Sequence, residues 1–377
     1  MKGLIKSALS FKSYQTLFMK KNAVLTLVVV SFLVSILVLA CSDGNDDVTN
    51  SANAIPTNLS LDLSIVGANE SNTYGDGSGI VNFKATATNA VKYGFIINNQ
   101  SEQQSTNGIY QFIFNNIEGV ETHEIKVVAY SSSNNSINII KTITVAFYNG
   151  TPPVWADEFF ENGAPNPKNW NYNLGAGGWG NNELQTYTNN SENVIVEDGL
   201  LKITAKSDGS GGYTSARIKS ENLFEFTYGT VEVRAKLPSS KGTWPAIWML
   251  GANFDQVGWP ACGEIDIMEQ TGWDKNKVLG TCHWSNNGSY AGYGLDTTIT
   301  NSTSNFHIYK LVWTEGGAIR IFVDNLEYFV MTTNSNMPFN SDFFLILNVA
   351  MGGNLGGTID SNFTQSTMEI DYVRVYK

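Results

Sequence analysis

The stretch Gly263-Glu264-Ile265-Asp266-Ile267-Met268-Glu269 places three carboxylates within six residues, between Trp259-Pro260 and Trp273. Apolar spacers alternating with acids describe a strand with one buried face. Strict alternation puts Glu264, Asp266 and Met268 on one side and sends Glu269 to the other. The three acids share a face only if the strand carries one extra residue, and Met268 is where it is expected. Such a β-bulge re-aims a side chain and gathers beside active sites. A solvated acidic edge, or a core strand with accidental acids, is the plainer reading of an isolated pattern of this kind, so the neighbours decide.

The neighbours are aromatic. Five of the nine tryptophans, Trp244, Trp248, Trp259, Trp273 and Trp284, fall within about forty residues, and Trp244 and Trp248 share one strand face. Core packing explains any one tryptophan, but five in this window are hard to place in one core. Two carboxyls about 5 Å apart cleave a glycosidic bond with retention, and a wider separation implies inversion. Asp266 lies between the outer two acids, and adjacent like charges push carboxyl pKa values apart, so the three titrate as a unit.

The whole chain sets the bounds. At 377 residues it has room for two domains, and 35 glycines with 12% aromatics suit an all-β protein. Net charge is −11, with no basic run beyond the first turns of the chain, which argues against nucleic acid as a partner. Near the amino terminus Lys20 and Lys21 precede an apolar run from Ala23 to Ala40, then Cys41. The run nearly spans a bilayer, but a cysteine directly after a small residue resembles a bacterial lipoprotein signal, in which Cys41 is lipidated. Met19 opens a more typical signal than Met1. The expected organisation is therefore a signal over 1–40 and a polar tether over 41–55, whose acidic start resembles surface-export tethers of Bacteroidetes lipoproteins. The mature protein is expected outside the cytoplasm, anchored to the outer membrane through lipid on Cys41. An oxidising compartment permits a disulfide between Cys262 and Cys282, and two free buried thiols are the alternative.

From about 56 to 149 six or seven short alternating strands, such as Val81–Thr88 and Ile137–Phe147, imply a β-sandwich. Gly77-Ser78-Gly79 and Ala85-Thr86-Ala87-Thr88-Asn89-Ala90 give it a resemblance to PKD-like, immunoglobulin-fold modules, although the glycine-aspartate turn after the third strand is missing. Exposed aromatics at regular spacing are scarce, which favours a spacer over a glycan-binding role. Residues 150–154, with Pro152 and Pro153, read as a linker. From 155 to 377 strands follow in quick order, among them Leu200–Lys206, Tyr228–Leu237, Trp244–Leu250, Leu279–Trp284, Phe343–Val349 and Met368–Tyr376. No long segment has helical period, so the expected fold is a curved sandwich of two large antiparallel sheets.

Five ordered motifs carry a more specific likeness: Trp179-Gly180-Asn181-Asn182-Glu183, Tyr213 to Ile218, Trp244-Pro245-Ala246-Ile247-Trp248, Trp259 to Glu269, and Asp371-Tyr372-Val373-Arg374-Val375-Tyr376. Together they resemble glycoside hydrolase family 16, laminarinase type, over about 155–377. The resemblance implies a β-jelly roll and retaining endo-hydrolysis of a β-1,3-glucan without a catalytic cofactor. It makes Glu264 the nucleophile and Glu269 the acid/base, with Asp266 between them. It places Asn181, Glu183, Arg217, Trp244, Trp248, Trp259 and His283 along the sugar subsites. His283 would otherwise read as a structural histidine, and His123 and His307 receive no functional role. The resemblance also implies a structural calcium held by groups at Glu158, Gly199 and Asp371, where oxygen ligands suit a hard cation. Glu369-Ile370-Asp371 repeats half of the acid motif without the bulge and should not be catalytic. One departure is Leu355 after Gly352-Gly353-Asn354, where laminarinases often carry an aromatic; it leaves mixed-linkage β-glucans and marine galactans as further substrates. A non-catalytic glycan-binding protein is the rival class, and three mutually repelling acids have no purpose in it.

Overall fold

A computed structural model describes residues 54–69 and 72–377. The apolar run 23–40, Cys41 and the tether up to residue 53 lie outside them. Among the described residues no helix is long and apolar enough to cross a membrane. The fold is all-β, as the alternating patterns imply.

Seven strands form the first part: β1 (Thr57–Ile65), β2 (Ile80–Thr88), β3 (Lys92–Ile97), β4 (Gln103–Ser105), β5 (Ile109–Ile113), β6 (Gly119–Tyr130) and β7 (Ser136–Phe147). They make a three-stranded sheet, β1-β2-β5, and a four-stranded sheet, β4-β3-β6-β7. Inward residues of both, among them Leu61, Val81, Phe83, Phe95, Ile125 and Val127, form one core. Strand β4 escapes sequence reading because Gln103-Gln104-Ser105 has no apolar alternation; it pairs with β3 by backbone alone.

The second part holds β8 (Trp155–Asp157), β9 (Asn171–Asn173), β10 (Gln185–Tyr187), β11 (Val194–Glu197), β12 (Leu200–Ser207), β13 (Tyr213–Ser215), β14 (Arg217–Lys219), β15 (Gly229–Lys236) and β16 (Thr243–Gly251). It continues with β17 (Glu264–Gln270), β18 (Lys277–Asn286), β19 (Ser289–Thr298), β20 (His307–Trp313), β21 (Ala318–Val323), β22 (Leu326–Thr332), β23 (Phe343–Met351) and β24 (Gln365–Tyr376). A seven-stranded sheet runs β19-β18-β17-β16-β23-β14-β9, and a ten-stranded sheet is built around β12-β24-β15-β20. Alternation along β15 drives Val231, Val233 and Ala235 inward to meet Ile247, Met249, Leu345 and Leu347 of the other sheet in a single core. This is the jelly-roll sandwich expected from 155 onward.

The acid strand β17 lies in the middle of the seven-stranded sheet, and its register confirms the bulge while moving it by one residue. Against β16, Met268 pairs with Ile247 and Asp266 with Trp248, so the residue left without a partner is Ile267, not Met268. Against β18, Asp266 pairs with Thr281 and Glu269 with Leu279, so Gly280 alone faces both Ile267 and Met268. Both of these side chains enter the core, fully buried, and Glu269 thereby returns to the face of Glu264 and Asp266. Gly280 makes room: a Cβ there would lie 2.7 Å from Ile321 Cδ1 and 3.0 Å from the Tyr328 hydroxyl.

The linker over 150–154 is short, and the two sandwiches touch around it. Val154 already donates its amide to the Val375 carbonyl at 2.7 Å. Arg374 on β24 holds Glu158 through two hydrogen bonds, Nε to Oε1 at 2.7 Å and Nη2 to Oε2 at 3.0 Å, and reaches Glu118 of the first sandwich at 3.4 Å. Tyr148 donates to Glu158 at 3.2 Å, and Tyr74 donates to Glu161 at 2.9 Å. Arg374 and Glu158 are largely buried, and breaking a buried pair by removing one partner costs about 3–5 kcal/mol. Arg374→Met is expected to lower the unfolding free energy of the 42–377 chain by about 3 kcal/mol in urea titration. A change under about 0.5 kcal/mol would show that the clamp carries no stability.

Candidate active site

A cleft of about 690 Å³ crosses the outer face of the seven-stranded sheet. Strand alternation along β16 turns Trp244, Ala246 and Trp248 toward it while Ile247 and Met249 enter the core. Glu264, Asp266 and Glu269 line its floor, and the seven residues expected along the subsites, Asn181, Glu183, Arg217, Trp244, Trp248, Trp259 and His283, line it as well. Two of the five clustered tryptophans do not. Trp284 packs against the core beside Phe339, and Trp273 is 56% exposed outside the cleft, near Gly357.

The acids are almost dry. Asp266 and Glu269 are 4% and 9% exposed, and loss of hydration disfavours their charged forms. Burial lifts Asp266 to about 8. Burial, reinforced by the charge of Asp266, lifts Glu269 to about 8, while a hydrogen bond from Trp244 Nε1 to Glu269 Oε1 at 2.9 Å pulls the other way. Glu264 also stands well above the ordinary carboxylate range, through burial first and Asp266 second, opposed by His283 and Arg217. His283 lies opposite Glu264 across β17 and β18, its Nε2 3.2 Å from Asp266 and 3.8 Å from Glu264. Its Nδ1 is 2.9 Å from the Tyr290 hydroxyl.

The walls are built for hydroxyl-rich, flat-faced ligands. Glu183 is buried and accepts hydrogen bonds from Gln185 at 2.6 Å, Tyr187 at 3.1 Å and Asn181 at 3.4 Å. Arg217 is stacked between Trp179 and Trp248, its guanidinium carbon 5.0 and 4.6 Å from the two rings. Its Nε is buried and makes no hydrogen bond within the protein. Half-exposed Trp259 stands 5.6 Å from the Tyr290 ring, forming an aromatic rim.

Other members of the site carry little sequence signal. Asn348 accepts from Trp248 Nε1 at 2.8 Å and donates to Tyr187 at 3.0 Å, tying the tryptophan to the Glu183 network. Tyr290 follows His283 on a hairpin whose second strand, β19, is largely exposed and has no apolar alternation. Outside the cleft lining, Lys275 donates to the Thr243 carbonyl at 2.9 Å, to Thr243 Oγ1 at 2.7 Å and to Gln270 Oε1 at 3.1 Å, and burial lowers it to about 7. Only the register of the 270–277 loop against β16 brings these groups together.

The remaining expectations resolve simply. Cys262 and Cys282 are free and buried; Cys282 points into the main core and Cys262 into a small cluster beside Leu250. Glu369 and Asp371 lie on the ten-stranded sheet, away from the cleft, paired with Lys236 and Arg234. Strand register brings the segments of Glu158, Gly199 and Asp371 side by side, since Asp157 pairs with Val373 and Leu201 with Ile370. Their carboxylates pair with Arg374 and Arg234.

A cleft with aromatic walls, hydrogen-bonding polar groups and facing carboxyls that hold protons near neutral pH defines a glycoside hydrolase. The family model described as glycosyl hydrolases family 16 matches residues 181–374, and the chain belongs to that family. Its relatives include a beta-glucanase from Rhodothermus marinus, 40% identical over 242 residues, which are 59% of this chain and 84% of the relative. A glucan endo-1,3-beta-glucosidase A1 from Niallia circulans is 37% identical over 59% of this chain, but the match spans only 37% of that longer protein. Among solved structures, LamA from Zobellia galactanivorans in complex with laminaritriose and laminaritetraose is 48% identical, with a TM-score of 0.56, over 60% of this chain and 99% of that one.

Trp244→Phe keeps an aromatic wall and removes the donor to Glu269. Because that hydrogen bond lowers the Glu269 pKa, its loss is expected to move the alkaline limb of the pH–rate profile upward and to lower kcat by about 10-fold or more. An unmoved limb would show that the bond does not act on the proton of Glu269.

Proposed function

We propose that the protein is an endo-β-1,3-glucanase acting by double displacement with retention. The observation that carries this reading is the bulge at Ile267, which gathers Glu264, Asp266 and Glu269 on the floor of one cleft. The laminari-oligosaccharides bound by the Zobellia relative support the linkage. In the first step the Glu264 carboxylate attacks the anomeric carbon while Glu269 donates its proton to the departing glycosidic oxygen. In the second, Glu269 takes a proton from water, whose oxygen displaces Glu264 from the anomeric carbon and restores both carboxyls.

The electrostatics suit the acid role of Glu269. A pKa of about 8 keeps Glu269 protonated at neutral pH, as a general acid requires. At Glu264, burial and the charge of Asp266 favour the protonated form, and His283 and Arg217 oppose them by favouring the anion. A pure glycan binder would gain nothing from burying three acids together. Lipid anchoring at Cys41 and a cell-surface location follow from the signal-like segment, and the first sandwich is read as a PKD-like, immunoglobulin-like spacer.

Purified 42–377 chain is expected to release reducing ends from laminarin, with the β-anomer appearing first by proton NMR. Glu264→Gln is expected to reduce the rate by on the order of 10⁴-fold or more. Release from mixed-linkage glucan or agar-type galactan alone would overturn the linkage, and no release from any of the three would overturn the enzymatic reading. An initial α-anomer would overturn retention. The rate should also fall as pH rises through about 8, because hydrolysis needs the protonated form of Glu269 and that form is lost above its pKa.

A further inference from the structure

Glu264, Asp266 and His283 present one ligand atom each within 4.8 Å of one another. A cluster of acids alone is ordinary in a glycosidase. Two features separate this one. The first is an imidazole nitrogen among the carboxylate oxygens. The second is Asp266 Oδ2, which is buried, lies 3.2 Å from His283 Nε2 and still makes no directed hydrogen bond. The imidazole nitrogen stands beside this oxygen without an aligned N–H donor, so no hydrogen bond within the protein satisfies it.

We infer that the catalytic cluster doubles as a site for a divalent cation of the zinc type, held by Glu264, Asp266 and His283. Ligands about 2.0–2.1 Å from a tetrahedral zinc are about 3.3–3.4 Å apart. The separations from His283 Nε2, 3.2 Å to Asp266 and 3.8 Å to Glu264, bracket that spacing, and all three ligand atoms lie within 4.8 Å, so the ion draws the carboxylates inward. The fourth position opens on the cleft and takes water, as in sites with three protein ligands. His283 Nδ1 is within reach of the Tyr290 hydroxyl; the tautomer that donates there leaves Nε2 unprotonated for the metal, and such an outer partner orients a ligating histidine. Two carboxylates and one imidazole select zinc-like ions over calcium or magnesium, which prefer more oxygens and retain water.

A cation here neutralises Glu264 and stands where the reacting sugar must sit. Zinc therefore blocks the reaction reversibly, in competition with glycan; this consequence rests on the glucanase reading, whereas the binding itself does not. Equilibrium dialysis of the 42–377 chain against zinc chloride is expected to give one bound zinc per chain. Laminaritriose should weaken that binding, calcium chloride should not, and His283→Gln should weaken it by about 10-fold or more. Asp266→Asn should act in the same direction, which guards against a misfolded histidine variant. In the hydrolysis assay zinc should raise the apparent KM for laminarin without changing kcat, with full recovery after EDTA. No zinc bound by an active enzyme, or undiminished binding in both variants, would overturn the inference. Zinc bound through the cluster of a protein that hydrolyses no glucan would leave the inference standing and remove the proposed function instead.

Discussion

Two consecutive side chains entering the core, Ile267 and Met268, are the constraint on which the rest of the site depends. In a regular strand one of them would face the cleft and one of the outer acids would be lost to the core face. The bulge is possible because the partner strand supplies one residue opposite the two, and because that residue is Gly280. Any side chain there would press on Ile321 and Tyr328, which already fill the space beneath. The cleft face is thus set by packing on the opposite side of the sheet, and a change in the core at Ile321 or Tyr328 would be felt by Glu269.

The second consequence is electrostatic. Burial raises the proton affinity of all three carboxyls, Asp266 adds to it at Glu264 and Glu269, and the protein supplies only partial relief through His283, Arg217 and the indole of Trp244. Glycoside hydrolases use such strain: one carboxyl must keep its proton at the pH where its neighbour gives one up. The polar groups around the acids are held in turn. Asn348 fixes Trp248, Tyr187 and Gln185 fix Glu183, and Lys275 fixes the start of the strand that carries Trp244. These partners lie on β23, on β10 of the ten-stranded sheet and in the loop before β18, so the cleft draws on both sheets.

On the opposite sheet the logic is structural. Arg374, in the closing strand, pairs with Glu158 at the start of the jelly roll and reaches Glu118 of the preceding sandwich. One guanidinium therefore ties together the two ends of the catalytic domain and its neighbour. Planar bidentate geometry makes arginine suited to this, and lysine could not replace it with the same two bonds.

Much of this was legible in the chain itself. Alternating apolar residues at Leu200–Lys206, Tyr228–Leu237 and Phe343–Val349 marked strands, because burial of one face leaves a period of two. The acid motif and the surrounding aromatic motifs marked the site, because their chemistry depends on residue type as much as position. Short or exposed strands such as β4, β10 and β19 were not legible, since they are held by backbone pairing and by neighbours distant in sequence. The same limit hid Asn348, Tyr290 and Lys275. The sequence by itself determined that one extra residue must interrupt the strand between Asp266 and Glu269. Only the tertiary structure decided that it is Ile267, because the choice depends on which residue β16 leaves unpaired and on a glycine in β18 that makes room for both side chains.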